Sequence, residues 1–347
     1  MISLLFIIVL LLIFYLLAPS FISPKSTFLE RESNLCFRGI LALLIVFHHV
    51  CKHYVFPMSS EGGAYGITVV GLFFFFSGYG LVKQYILKGE SYCNGFILKR
   101  AKKLLPSFFI ITILCVVAEK LLNVKILELG GGGKIGCIFV PNSWYVYVLF
   151  FYYIVFAVCG RFLNKPIQIV SMLFGATFAL ILFTSVVNLG DWWWKSSFAF
   201  NVGTLLPLLE EKERKDTISI AREKKIIFFI FTILVVSAIP NVFGLSYNKV
   251  RSILMIVLTT VLPIYLYIVF KKVTFCSNKI LNFLGSLSYE IYLIHGIVLI
   301  IVKNVFPEMK TIQSVIIVYL VTIVFSLPTY KLSRWLIKSR NIQTNVR

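Results

Sequence analysis

Arg38-Gly-Ile-Leu-Ala-Leu-Leu-Ile-Val-Phe-His48-His49 carries one cation at its start, two imidazoles at its end and only apolar residues between. Eleven residues make close to a whole number of α-helical turns. Arg38 and His49 therefore share a helix face and stand roughly 16 Å apart along the axis. His48 falls about 80° off that face. An ionisable group that deep in a membrane helix is costly and usually functional, although a neighbour can also satisfy it structurally.

Working outward, the surroundings are as apolar as the stretch itself. Of 347 residues, 59% are hydrophobic and 14% are charged, whereas soluble domains run near 25% charged. Runs long enough to cross a bilayer recur from end to end. Eleven spans are predicted, near 2–20, 36–56, 64–86, 104–123, 143–163, 167–187, 196–210, 225–245, 251–270, 283–303 and 312–335. Pro207 would kink the seventh. The expected fold class is all-α, a polytopic transmembrane helical bundle of about 11 helices with no soluble domain.

The net charge of +20 would suggest nucleic acid in a soluble protein. In a chain this apolar it reads instead as the excess of Lys and Arg in cytoplasmic loops. With the N-terminus outside, 25 of the 34 Lys and Arg fall in cytoplasmic segments. The alternation supports eleven helices with the C-terminus cytoplasmic, in a cell (plasma or inner) membrane. The N-terminus lacks the basic region of a signal peptide. The charged stretch 210–225 reads as a solvated loop.

Other signals are weaker. The seven cysteines form no Cys-x-x-Cys and no zinc spacing, so neither a metal site nor a disulfide framework is expected. Gly130-Gly-Gly-Gly-Lys134 lacks the Ser or Thr and the preceding strand of a phosphate loop.

Three constellations can carry chemistry. The first is the Arg38…His49 helix. The second is Leu284-Gly-Ser-Leu-Ser-Tyr-Glu-Ile-Tyr-Leu-Ile-His295. There His295 reaches a depth close to that of His49, and Ser288, Ile291 and Tyr292 share its face. Glu290 lies about 140° away and needs a partner. It either serves the site from another angle or pairs with a Lys or Arg. The third is Lys99-Arg100-Ala-Lys102-Lys103-Leu-Leu-Pro106. It reads either as an interfacial anchor or as a basic mouth for a phosphate-bearing donor, with Arg100 and Lys103 on one face. Gly71–Gly80 contains small residues that permit close helix packing. Asn142-Ser-Trp144-Tyr also fits an aromatic belt.

Taken in order, these segments resemble the membrane acyltransferase-3 family. The matching features are Arg38-x10-His49, Phe75-Phe-Ser77-Gly78, the basic run ending at Pro106, Ser143-Trp144, and Leu284 through His295. Lys stands at 99 and 103 where the family pattern has Arg, which keeps charge but loses the bidentate fork. The resemblance implies a ten-helix acyltransferase domain over 35–340, preceded by an extra helix and linker over 1–34. It also implies transfer of an acyl group, most often acetyl from acetyl-CoA, to a hydroxyl of an envelope or capsular glycan or its lipid-linked precursor.

On this reading acetyl-CoA (or another acyl-CoA) is a substrate and no cofactor is bound. The partners are the lipid bilayer and the glycan acceptor, with no nucleic acid. Lys99, Arg100 and Lys103 would bind the donor phosphates, with Arg38 near them. His49 would be the general base. His295, Glu290 and Arg38 would complete the catalytic group, while Ser288, Tyr289, Tyr292 and Trp144 would orient substrate. The competing reading is a transporter or flippase for an anionic or glycan-lipid substrate.

Overall fold

A computed structural model describes residues 31–55, 65–126, 140–213, 248–270 and 279–344. The described residues form helices and no strand. In chain order these are α1 (Arg31–His53), α2 (Gly66–Lys88), α3 (Phe96–Leu122), α4 (Trp144–Phe162), α5 (Pro166–Val186) and the single turn α6 (Trp192–Lys195). They continue with α7 (Ser197–Glu213), α8 (Asn248–Phe270), α9 (Lys279–Ser286), α10 (Ser288–Val305) and α11 (Thr311–Thr344). Seven of them are long and apolar enough to cross a membrane, so the all-α, multi-pass membrane reading holds. Nine of the eleven predicted spans fall on these helices. Those at 2–20 and 225–245 lie outside the described residues, as does the 1–34 unit except for 31–34, which form the start of α1.

Burial separates the helices into a centre and a rim. Two thirds (67%) of the apolar window of α2 and of α10 is buried, against 22% for α3 and α11. Phe109, Ile113, Leu320 and Val324 of the latter pair are exposed, as side chains that face lipid would be. The centre is aromatic. Tyr152 stacks on Phe200 at 4.1 Å between centroids, and Phe74 packs edge-on against both.

Close backbone approach sets the central crossings. A Cβ on Gly78 would run into the Phe200 carbonyl of α7, and one on Gly203 into the Phe75 carbonyl of α2. The small residues of the second span are thus used within one chain. Gly39 and Gly285 play the same part where α1 crosses α9, each facing the other helix's backbone. Polar clasps tie further pairs. Thr68 bonds Thr259 at 3.1 Å, Tyr152 bonds Thr177 at 2.7 Å, and Asn201 donates to Thr177 at 2.8 Å.

Two boundaries and one cysteine differ from what the sequence predicts. The tenth span is two helices, since α9 ends and α10 begins around Leu287. Apolarity runs straight through that break, so hydropathy misses it. α3 starts eight residues early, at Phe96, after Gly95 takes a left-handed turn with φ 63°. The whole basic run is therefore helical, which puts Arg100 and Lys103 on one face as expected. Cys36 is disulfide-bonded while the other four described cysteines are free. The scattered spacing of the cysteines gave no sign of that bond.

Candidate active site

α1, α2, α3, α4, α9, α10 and α11 enclose a cavity of about 560 Å³. One end of it is basic. Arg100 and Lys103 enter from the first turns of α3, Arg38 from α1 and Arg334 from α11. Arg100 is held in place. Its Nη2 donates to the Tyr92 hydroxyl at 2.8 Å, and its guanidinium lies 5.1 Å from the Phe96 and Tyr153 ring centroids, a cation–π arrangement. Arg38 Nε is buried and has no hydrogen-bond partner among the described residues. A buried donor left unpaired costs about 1–3 kcal/mol, so an anion at this end would relieve it.

Deeper in, Glu290 lines the wall at 5% exposure. Ser107 Oγ of α3 donates to its Oε1 at 2.7 Å. Of the two readings open for Glu290, the structure places it at the cavity with a hydroxyl partner. No salt bridge to it occurs among the described residues. Tyr289 also lines the cavity and donates to the Leu104 carbonyl at 3.2 Å. Ser288 is buried on the same wall.

Tyr292 joins the cavity to the histidines. It lines the cavity, its hydroxyl donates to the Asn142 carbonyl, and its ring centroid lies 5.3 Å from Tyr145 and 5.8 Å from His295. Behind it the His295 and His49 rings stand 4.9 Å apart. The carbonyl of Ile291 lies 3.2 Å from His295 Nδ1. A carbonyl can only accept, so that bond puts the proton on Nδ1 and leaves Nε2 with a lone pair. Nε2 is buried without a partner among the described residues. His48 points elsewhere, packed against Gly66 at the start of α2.

The helical arithmetic therefore brought together Arg38, His49, His295, Glu290, Ser288, Tyr289, Tyr292, Arg100 and Lys103. Two predicted residues sit apart. Lys99 is exposed and donates to the Asn94 carbonyl at 3.1 Å. It shares a face with Lys103 but lies one turn nearer the helix start, beyond the cavity. Trp144 packs on Phe74 and Trp193, at 6.4 and 6.5 Å between centroids, and does not line the cavity.

Sequence reading missed Ser107, Tyr145, Tyr153 and Arg334. Ser107 and the tyrosines are unremarkable in an apolar helix. Arg334 counted only as a topology charge, although Tyr330, Ser333 and Arg334 do carry helical spacing.

Chemically, the arrangement offers a cluster of cations on the cavity and, behind Tyr292, a pair of imidazoles that do not themselves line it. A family model described as "Acyltransferase domain" matches residues 36–331. No curated protein and no solved structure matches the chain.

Proposed function

Since the chain belongs to the membrane acyltransferase-3 family, we propose that it is an O-acyltransferase taking acetyl from acetyl-CoA to a hydroxyl of a cell-envelope or capsular polysaccharide or its lipid-linked precursor. The observation that carries this reading is the cavity itself. Its lining carries the cations and Tyr292, and Tyr292 packs on His295, whose ring in turn meets that of His49.

The donor phosphates dock among Arg100, Lys103 and Arg38, where fixed cations bind such anions strongly. The thioester reaches inward past Tyr292. His49 takes the proton of the acceptor hydroxyl as its oxygen attacks the thioester carbonyl carbon. His295 packs on the His49 ring at 4.9 Å between centroids and limits how that ring can turn. The Tyr145 hydroxyl is offered to the developing oxyanion, while Tyr292, held by the Asn142 carbonyl, shapes the passage beside it. Collapse breaks the carbon–sulfur bond, and the thiolate takes the proton back from His49. The ester and free CoA leave. The 25-to-9 bias of Lys and Arg supports a basic mouth on the cytoplasmic side of a cell membrane, with the N-terminus outside and the C-terminus inside.

Proteoliposomes given acetyl-labelled CoA and extracted envelope glycan test this reading. Ester-linked label is expected with wild type and not with His49→Ala at equal insertion. Glycan movement across the bilayer without label transfer would replace it with the transporter reading.

A further inference from the structure

The last helix brings a fourth cation to the cavity from just past the residue where the family match ends. Tyr330, Ser333 and Arg334 stand at i, i+3 and i+4 on α11, and all three line the cavity. We propose that this face is the subsite for the nucleotide end of the acyl-thioester donor, with Arg334 taking a phosphate group and Tyr330 and Ser333 flanking it. The proposal rests on the acyltransferase reading given above.

Charge is the first argument. Lys103 is within electrostatic range of Arg38, Arg100 and Arg334. Glu290 is the one carboxylate among the lining residues, and none of the four cations forms a salt bridge among the described residues. Holding four like charges about one cavity is unfavourable, and a ligand with several negative charges removes the cost.

Shape is the second. Arg38 stands about 16 Å along α1 from His49. A ligand that places its reacting carbon at His49 and its charge among the cations must be elongated and anionic at one end only. A nucleotide joined to a neutral thioester arm has that form.

Pre-positioning is the third. The Arg334 guanidinium lies 5.1 Å from the centroid of the Tyr330 ring. The ring fixes an otherwise exposed side chain at the mouth. Ser333 is 3% exposed, and its hydroxyl donates to the Tyr330 carbonyl at 2.9 Å, which leaves the hydroxyl oxygen able to accept. An exposed Arg at the end of a membrane helix can also meet a lipid headgroup phosphate, so the experiment must separate the two sources.

Wild type, Arg334→Ala and Lys338→Ala are reconstituted in zwitterionic and in anionic vesicles. Acetyl transfer is measured with acetyl-CoA and with acetyl-pantetheine, which lacks every phosphate. Binding of CoA to each purified protein is measured by calorimetry. Arg334→Ala is expected to raise KM for acetyl-CoA about tenfold with kcat unchanged, to weaken CoA binding equally, and to leave acetyl-pantetheine turnover as in wild type. Lys338→Ala, one turn further on and outside the cavity, should change none of these.

Equal CoA binding by wild type and Arg334→Ala overturns the subsite while leaving the acyltransferase reading intact. A defect that is the same for both donors, or that appears only in anionic vesicles, assigns Arg334 to structure or to lipid and also overturns it. If wild type binds no CoA and uses neither thioester, the donor reading itself fails, and the subsite falls with it.

Discussion

Gly285→Ala probes the crossing that holds Arg38 against the rest of the cavity. Gly285 of α9 faces the backbone of α1 at Leu35, one turn before Arg38. A Cβ there would lie 2.6 Å from the Leu35 carbonyl carbon, where ordinary contact begins at 3.4 Å. The obstacle is backbone, so no rotamer change relieves it, and the helices must part by about 1 Å. Ala in place of Gly favours a helix by roughly 0.5–1 kcal/mol, whereas overpacking costs about 1–3 kcal/mol. The net effect is destabilising by about 1–2 kcal/mol.

The consequence for activity is larger. A 1 Å misplacement of bound substrate costs about 100-fold in rate even when its cause lies far from the chemistry, and this shift moves Arg38, at the donor end of the cavity, relative to α9. Acetyl transfer per inserted protein should fall about that much, with a lower thermal midpoint in detergent. Gly175→Ala is the matched control, since its Cβ would meet nothing within 4 Å; it should be neutral or slightly stabilising. Wild-type transfer and an unchanged midpoint for Gly285→Ala would refute the reasoning.

Two other perturbations have defined outcomes. Ser107→Ala removes the hydroxyl that donates to buried Glu290, which should cost about 1–3 kcal/mol and lower kcat; a thermal melt and steady-state kinetics unchanged from wild type would show that the bond is idle. Glu210 accepts hydrogen bonds from Tyr79, from Tyr267 at 2.8 Å and from Lys83 at 2.6 Å, joining α2, α7 and α8. Glu210 is half-buried at 17% side-chain exposure. Glu210→Gln should therefore lower stability by about 1–2 kcal/mol while the kinetics of the folded fraction stay normal, and altered KM at unchanged stability would contradict a purely structural node.

What was legible in the sequence follows from period and apolarity. The 3.6-residue repeat aligned Arg38 with His49 and set His295 at a matching depth, and in the structure the two imidazoles meet. Apolar length located nine described helices. The same repeat could not say how far along α3 the cavity extends, so Lys99, on the Lys103 face but one turn nearer the helix start, was grouped with Arg100 and Lys103. Apolarity could not reveal the break at Leu287, because the chain stays hydrophobic on both sides of it. Contacts between distant segments were invisible: Ser107 to Glu290, Tyr145 to Tyr292, and Arg334 on the same cavity as Arg38. Each depends on how helices cross, and glycines such as Gly39 and Gly285 set that crossing by what they lack. Trp144 illustrates the converse. The likeness of Ser143-Trp144 to the family's motif suggested a substrate contact, yet its ring turns toward Trp193.

The central claim is that this bundle esterifies a surface glycan through His49. The most direct measurement is proton NMR of surface polysaccharides purified from a strain lacking the gene and complemented with wild type or His49→Ala. The account predicts that an O-acetyl methyl signal disappears on deletion, returns with wild type and stays absent with His49→Ala at equal membrane abundance. An O-acetyl pattern that survives deletion, or that His49→Ala restores in full, would contradict it.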